Sequence, residues 1–213
     1  MSWSAADIAD AVADGLRRQA EELDVEQAVY GLDAGDELTL HPVIQRSLRD
    51  GGYGVWPEQR YPFDRAHPRR TEGHRCDVVL TADALPLRDP LIAGTLFDQQ
   101  PAADPADAYW LEIKTVAQYE TTGPFARYTA ELLSAVTADI KKIYSDDQIV
   151  SGGLLLVLFT ADQRTAEHDL AEWHRRCIDR GYPAAPPAIR GLPITDRIGN
   201  AWCAVAVFGI RGV

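Results

Sequence analysis

The feature that most constrains the fold of this chain is a continuous apolar run, residues 154–159, that directly follows two glycines. Such a run is typical of a strand buried on both faces, because helices cover both sides of its sheet. We therefore expect this strand at the centre of the sheet. The rest of the chain alternates between helical and strand periodicity. The predicted helices are residues 37–49, 124–144 and 165–180, and the predicted strands are residues 53–61, 73–81, 108–116 and 201–210.

The order of these elements predicts an α/β fold in which a mixed β-sheet is flanked by helices. Length and composition favour a single domain over residues 1–213, with 46% hydrophobic and 25% charged residues. Residues 1–34 carry a mostly polar helical pattern, which we interpret as an accessory segment. Residues 84–107 contain four prolines and several aspartates, which predicts an insertion between two strands. Residues 183–193 are rich in proline and are predicted to form a loop.

The sequence does not resemble that of a membrane protein. No run approaches the roughly 18 apolar residues that a transmembrane helix needs. The acidic amino-terminal segment lacks the layout of a signal peptide. We therefore expect a cytoplasmic protein. The cysteines Cys76, Cys177 and Cys203 are odd in number and lack a Cys-x-x-Cys spacing, which predicts buried thiols rather than a disulfide framework or a zinc ribbon.

The predicted strand 108–116 carries an acid and a lysine two positions apart. Glu112 and Lys114 share one face of that strand, because successive side chains alternate. If the strand 73–81 is its neighbour, Asp77 converges with Glu112 on one divalent cation. Mg²⁺ is typically held by one or two carboxylates together with water and phosphate oxygens. A nearby lysine orients the attacking water or stabilises the developing charge, so the arrangement predicts metal-dependent hydrolysis.

Asp77 followed by Glu112-Ile113-Lys114 resembles the signature of the PD-(D/E)XK nuclease superfamily, which has a restriction-endonuclease-like fold. The resemblance implies a helix, a three-stranded meander, a second helix and a further strand. It also implies that Asp77 and Glu112 bind Mg²⁺ or Mn²⁺ and that Ile113 contributes its backbone carbonyl. Lys114 would position the attacking water or stabilise charge on the phosphate.

The family often supplies a further carboxylate from the first helix. Glu37 matches that position best, and Glu58 on the first strand is the alternative. The chain departs from the family pattern in two places. Cys76 replaces the proline that precedes the first acid, and 35 positions separate Asp77 from Glu112. The second departure requires an insertion, which residues 84–107 supply.

The charge of the chain argues both for and against nucleic-acid binding. A net charge of −11 and a pI near 4.8 predict repulsion from a polyanion. Residues 65–75 are locally basic, however, with Glu72 as their one acid. We predict a basic turn between the first two strands, and a solvated turn without function is the alternative. The candidate phosphate-binding residues are Arg65, Arg69, Arg70 and Arg75.

The helix predicted at residues 124–144 carries one polar residue in an unusual place. Asp139 falls near the middle of its apolar stripe, and Lys142 lies at the edge of that stripe. Asp139 either pairs with Lys142 at the rim or hydrogen-bonds to a site residue. We do not include this pair in the predicted site.

Other kinds of chemistry lack their sequence patterns. No Gly-x-Ser-x-Gly motif indicates acyl transfer. No glycine-rich nucleotide motif is present, so no organic cofactor is predicted. His168 and His174 lie six positions apart, on different helix faces, and are predicted to be surface histidines.

The function predicted from the sequence is that of an Mg²⁺- or Mn²⁺-dependent nuclease acting on nucleic acid, with DNA as the expected substrate. The alternative is a catalytically inactive protein of the same fold that binds or regulates a basic partner, which the acidic net charge favours. The sequence leaves open a homodimer or a partner protein.

Overall fold

A computed structural model describes residues 3–35, 37–62, 75–88, 94–96 and 101–212, except for the side chains of residues 135 and 136. The long helices in these ranges are α1 (Ala5–Val25), α2 (Glu37–Asp50), α3 (Val136–Ser145) and α4 (Gln163–Asp179). The strands are β1 (Gly54–Arg60), β2 (Arg75–Thr81), β3 (Tyr109–Ala117), β4 (Tyr119–Glu120), β5 (Gly123–Pro124), β6 (Ser151–Thr160), β7 (Ala188–Pro193) and β8 (Trp202–Arg211). Short 3₁₀ turns occupy Leu32–Ala34 and Ala82–Ala84, and a helical turn at Tyr128–Ala130 leads through a π-helical segment, Glu131–Ala135, into α3.

Six of these strands form one mixed sheet in the order β1-β2-β3-β6-β8-β7. β3 and β6 pair in parallel, and the other neighbours in this sheet pair antiparallel. β4 and β5 form a separate two-stranded hairpin. β6 contains the apolar run and lies inside the sheet, and every one of its residues is buried.

Helices cover both faces of the sheet. On one face α1 and α2 bury Ile8, Leu16 and Ile44 against Leu155 and Val157 of β6. On the other face α3 and α4 form a second core with the alternate side chains of β6. The second core includes Ile140, Ile143, Leu154, Leu156, Leu170 and Trp173. The prediction of an α/β fold with a mixed sheet flanked by helices is confirmed, and the reason is that β6 needs apolar partners on both sides.

The segment that was predicted to be accessory forms α1, a single helix. The Ser4 hydroxyl oxygen caps it by accepting a hydrogen bond from the backbone N–H of Asp7 at 3.2 Å. Ile8, Val12 and Leu16 repeat every four residues and are fully buried. Because α1 contacts β7 and β8 as well as α2, its apolar stripe is part of the core on that face.

Two segments differ from the prediction. Residues Ala188–Pro193 form β7, where the sequence predicted a loop. β7 is an edge strand, and an edge tolerates proline because its outer side needs no ladder hydrogen bonds. The helix predicted over residues 124–144 begins only at Tyr128, because Gly123–Pro124 pairs with Tyr119–Glu120 as a hairpin.

Two further expectations concern the cysteines and membrane insertion. Cys76, Cys177 and Cys203 are free and buried, as predicted. Among the helices in the described ranges, none is both long and apolar enough to cross a bilayer.

Candidate functional site

The two strands that carry the motif are neighbours in the sheet. β2 and β3 pair antiparallel, and their backbone ladder ends at Val78 and Leu111. Beyond that point the Asp77 side chain joins the strands, because its Oδ2 accepts a hydrogen bond from the backbone N–H of Ile113 at 2.8 Å. Asp77 is thereby fixed against the middle residue of the Glu-x-Lys motif, at the place where the two strands begin to separate.

Glu112 is the most deeply buried acid of the site, with only 1% of the residue exposed. Its Oε1 accepts a hydrogen bond from the hydroxyl of Tyr61, and its Oε2 lies 3.3 Å from the Nζ of Lys142. Burial and the neighbouring Asp77 carboxylate raise the pKa of Glu112 to about 8, although Lys142 and Tyr61 act in the opposite direction. The charge of Asp77 therefore acts on the Glu112 carboxyl.

Tyr61 holds Glu112 from the end of β1. Its ring stacks on Trp110, with the ring centroids 5.7 Å apart and the planes inclined by 21°. Burial raises the pKa of Tyr61 far above its usual range, so the phenol stays protonated and donates to Glu112. No sequence pattern indicated this contact, because Tyr61 is the last residue of a predicted strand.

Lys142 approaches the site from α3. Its Nζ lies 2.7 Å from Asp139 Oδ1 and 3.3 Å from Glu112 Oε2, so one ammonium bridges two carboxylates. Burial opposes the charged form, but Glu112 and Asp139 outweigh it and raise the pKa of Lys142. Lys142 and Asp139 were not in the predicted site. The signal that pointed to them was the position of Asp139 within an apolar stripe.

Lys114 is held on the other side of the motif. Its Nζ lies 2.8 Å from Glu37 Oε2, and both side chains are partly exposed. Burial lowers the pKa of Lys114. The pairing with Glu37 and the negative charges of Asp139 and Glu131 raise it by a larger amount, so the net shift is upward. Glu37 stands in the first turn of α2, so that helix brings a carboxylate to the motif lysine.

The alternative acid, Glu58, has different surroundings. It is exposed, and its backbone adopts a left-handed φ of 54° on β1. Its backbone carbonyl accepts a hydrogen bond from Arg75 Nη1 at 2.8 Å. Arg75 is exposed at the start of β2, and its guanidinium turns towards β1 because it donates to the Glu58 carbonyl. The candidate phosphate-binding residues Arg65, Arg69 and Arg70 lie outside the described residues.

The donor chemistry of the site fits a hard divalent cation. Asp77 and Glu112 supply carboxylate oxygens, and the backbone carbonyl of Ile113 lies between Glu112 and Lys114 in sequence. Within the described ranges no group of three or more His, Cys, Asp or Glu side chains is arranged to hold a metal. The charge of Asp77 disfavours ionisation of the buried Glu112, and the positive charge of Lys142 favours it.

Comparisons with protein-family models, with curated proteins and with solved structures gave no match for this chain. Function is therefore inferred from the geometry and chemistry of the site.

Proposed function

We propose that this protein is a metal-dependent nuclease of the PD-(D/E)XK type, with a restriction-endonuclease-like fold, that hydrolyses phosphodiester bonds in nucleic acid. DNA is the expected substrate, and Mg²⁺ or Mn²⁺ is the expected cofactor. The element order supports the proposal, because α2, β1 to β3, α3 and β6 follow the order that the resemblance implies.

The observation that carries the proposal is the contact between Asp77 and Ile113. The 2.8 Å hydrogen bond joins the first acid of the motif to the centre of the Glu-x-Lys segment. In sequence these residues are 36 positions apart. A Glu-x-Lys pair that arose by chance on an exposed strand has no reason to meet a partly buried acid from the neighbouring strand in this way.

The roles follow from the positions of the side chains. Asp77 and Glu112 would hold the ion, with the carbonyl of Ile113 as a third donor. When bound, the ion would stabilise negative charge on the phosphate and make a water more acidic. Glu112 must lose its proton to serve as a ligand, and the ammonium of Lys142 must move away from Oε2 of Glu112. Lys114, aligned by Glu37, would orient the attacking water or stabilise charge on a phosphate oxygen.

A second candidate function follows from the way the charges are paired. Lys114 is paired with Glu37, Lys142 is paired with Glu112, and the net charge is −11. A site with its charges matched internally is also expected of a protein that keeps this fold to bind or regulate a basic partner. The distinguishing property is metal binding, because only the nuclease needs Asp77 and Glu112 to accept an ion.

The proposal is tested by incubating the protein with supercoiled plasmid, linear duplex, single-stranded DNA and RNA in Mg²⁺ and in Mn²⁺. The nuclease is expected to cleave at least one of these substrates and to lose activity in a chelator. Calorimetry with Mn²⁺ accompanies the assay. Absence of both cleavage and metal binding would contradict the proposal and favour the binding protein.

A further inference from the structure

A groove of about 590 Å³ lies between the carboxyl-terminal end of α1 and the amino-terminal half of α2. Its walls come from these two helices and from the loop of residues 30–35 that connects them. Each described residue that lines the groove is uncharged, and its apolar surface includes Leu23, Tyr30, Leu40 and Val43. A concave, largely apolar surface of this size is typical of a binding site.

Large apolar side chains are also exposed at the mouth of the groove. Tyr30 lines the groove and is 56% exposed. Val29, which directly precedes Tyr30, is 81% exposed, and Leu38, which directly precedes the lining residue Thr39, is 77% exposed. Exposed apolar side chains that adjoin an apolar groove indicate an interaction surface. A small ligand would fill the groove but leave Val29 and Leu38 in water, whereas a protein segment covers both.

The chain that forms the groove is acidic. Residues 19–40 supply all of its described lining except Val43 and Thr121, and they contain seven acids and no lysine, arginine or histidine. Arg46 is exposed nearly one turn beyond Val43 on α2, at the end of the groove away from Tyr30. The end of the groove near Tyr30 is therefore surrounded by negative charge, which disfavours nucleic acid and favours a basic partner.

Glu22 and Glu26 place part of this charge at the rim of the groove. Glu22 follows Gln19 by three positions and Glu26 follows Leu23 by three, so both fall on the face of α1 that lines the groove. Glu26 keeps helical backbone angles as the capping residue of α1. Both side chains are exposed, and neither forms an ion pair with the described residues. They are therefore available to cations of a partner.

We propose that this groove binds an amphipathic helix of a basic partner protein, with apolar side chains in the groove and lysine or arginine opposite Glu22 and Glu26. The helices α1 and α2 run antiparallel, since Gly15 lies against Ser47 and Ala11 against Gly51. The groove between two packed helices accepts the apolar stripe of a third. A second copy of this chain fits less well, because a symmetric contact would bring its own acidic segment against Glu22 and Glu26. The inference does not depend on the proposed nuclease function.

The test measures binding of three fluorescently labelled synthetic peptides by anisotropy, in a chelator so that no metal contributes. The first has leucines at helical spacing and lysines on the flanking positions. The second has glutamate in place of each lysine, and the third has serine in place of each leucine. The wild-type protein is expected to bind the leucine–lysine peptide about tenfold or more tightly than either of the others, because binding needs both apolar anchors and positive charge.

Variants locate the binding surface. Tyr30→Ala and the double variant Glu22→Lys/Glu26→Lys are each expected to weaken binding of the leucine–lysine peptide by about tenfold. Tyr144→Ala removes a similarly exposed tyrosine from α3, and Asp147→Lys/Glu167→Lys makes the same change in net charge at exposed positions away from the groove. These two controls should keep the wild-type affinity. Circular dichroism confirms that each variant is folded.

The outcomes separate this docking surface from the nuclease proposal. Weaker binding by both groove variants, but not by the controls, supports the docking surface whether or not the protein cleaves nucleic acid. Absence of binding, equal affinity for the three peptides, or an affinity that neither groove variant changes would overturn it, even if cleavage is observed. Dimerisation that blocks peptide binding and that Tyr30→Ala abolishes would show that a second copy occupies the groove, and would overturn it as well.

Discussion

At the scale of single residues, the burial of Glu112 links the stability of the protein to pH. Its pKa of about 8 in the folded protein lies above the value of 4.5 for an unperturbed glutamate. Between these values the folded protein retains a proton that the unfolded chain has lost. The free energy of unfolding therefore falls as pH rises through this window, and the loss is complete above the folded pKa.

Glu112→Gln is expected to remove this pH dependence. The amide is isosteric and carries no charge, so without divalent ions the variant should exceed the wild type in stability above about pH 8, by on the order of a few kcal/mol. Urea unfolding at acidic and alkaline pH in a chelator measures the effect. Glu21→Gln, at an exposed position on α1, is the control and should follow the wild type. A Glu112→Gln protein with the wild-type pH dependence would show that Glu112 is not the group responsible.

Tyr61 orients Glu112, and Tyr61→Phe tests that role. The change removes the hydroxyl that donates to Oε1 but keeps the ring that stacks on Trp110. Partners that orient metal ligands typically contribute a factor of about 10 to 100 in affinity, so Mn²⁺ binding should weaken by about tenfold. Calorimetry measures the affinity. The control is Tyr128→Phe, which removes a hydroxyl that donates to Asp169 instead. Unchanged Mn²⁺ affinity in Tyr61→Phe would refute the orienting role.

At the scale of elements, α3 is the part of the site that must change when a metal binds. It carries Asp139 and Lys142 one turn apart, and Lys142 occupies Oε2 of Glu112. A π-helical segment, Glu131–Ala135, directly precedes it. Such segments are frequent at functional sites.

Lys142→Met is expected to destabilise the metal-free protein, because it leaves the acidic side chains of Asp139 and Glu112 without the ammonium that contacts both. The same change removes the competitor for Glu112, so the rise in melting temperature on adding Mn²⁺ should be larger than in the wild type. Thermal unfolding with and without Mn²⁺ measures both effects. Lys141→Met, at the exposed neighbouring position, is the control. An Mn²⁺-induced shift no larger than that of the wild type would argue against competition between Lys142 and the metal.

The elements that the sequence predicted well are those whose pattern reflects burial. β6 was identified because helices cover both of its faces, so that its residues 154–159 are all apolar. β7 was missed because Pro193 ends it and three prolines at residues 183–187 precede it, which resembles a loop, and its edge position makes Pro193 acceptable. Within the site, strand periodicity placed Glu112 and Lys114 on one face. The contacts of Tyr61 and Lys142 with Glu112 join elements that are distant in sequence, and periodicity does not reveal such contacts.

At the scale of the whole molecule, the acidic net charge sets the conditions under which the proposed nuclease would bind nucleic acid. A protein of net charge −11 repels a polyanion at long range. Under the proposed function, affinity for nucleic acid would have to come from local contacts. These would be a divalent ion held by Asp77 and Glu112, the side chain of Lys114, and the segment 65–75, which is basic in sequence. Binding is expected to depend strongly on the divalent ion, because the ion adds positive charge at the point of contact.

The most direct test of the account is cleavage of nucleic acid by the wild-type protein and by Lys114→Ala, purified side by side and assayed in Mg²⁺ and Mn²⁺. Lys141→Ala serves as the control for loss of a lysine. The account predicts that the wild type and Lys141→Ala cleave, and that Lys114→Ala loses cleavage by a factor of about 100 or more while it still binds Mn²⁺. Equal cleavage by Lys114→Ala and the wild type would contradict the account, because the motif lysine would then have no part in the reaction.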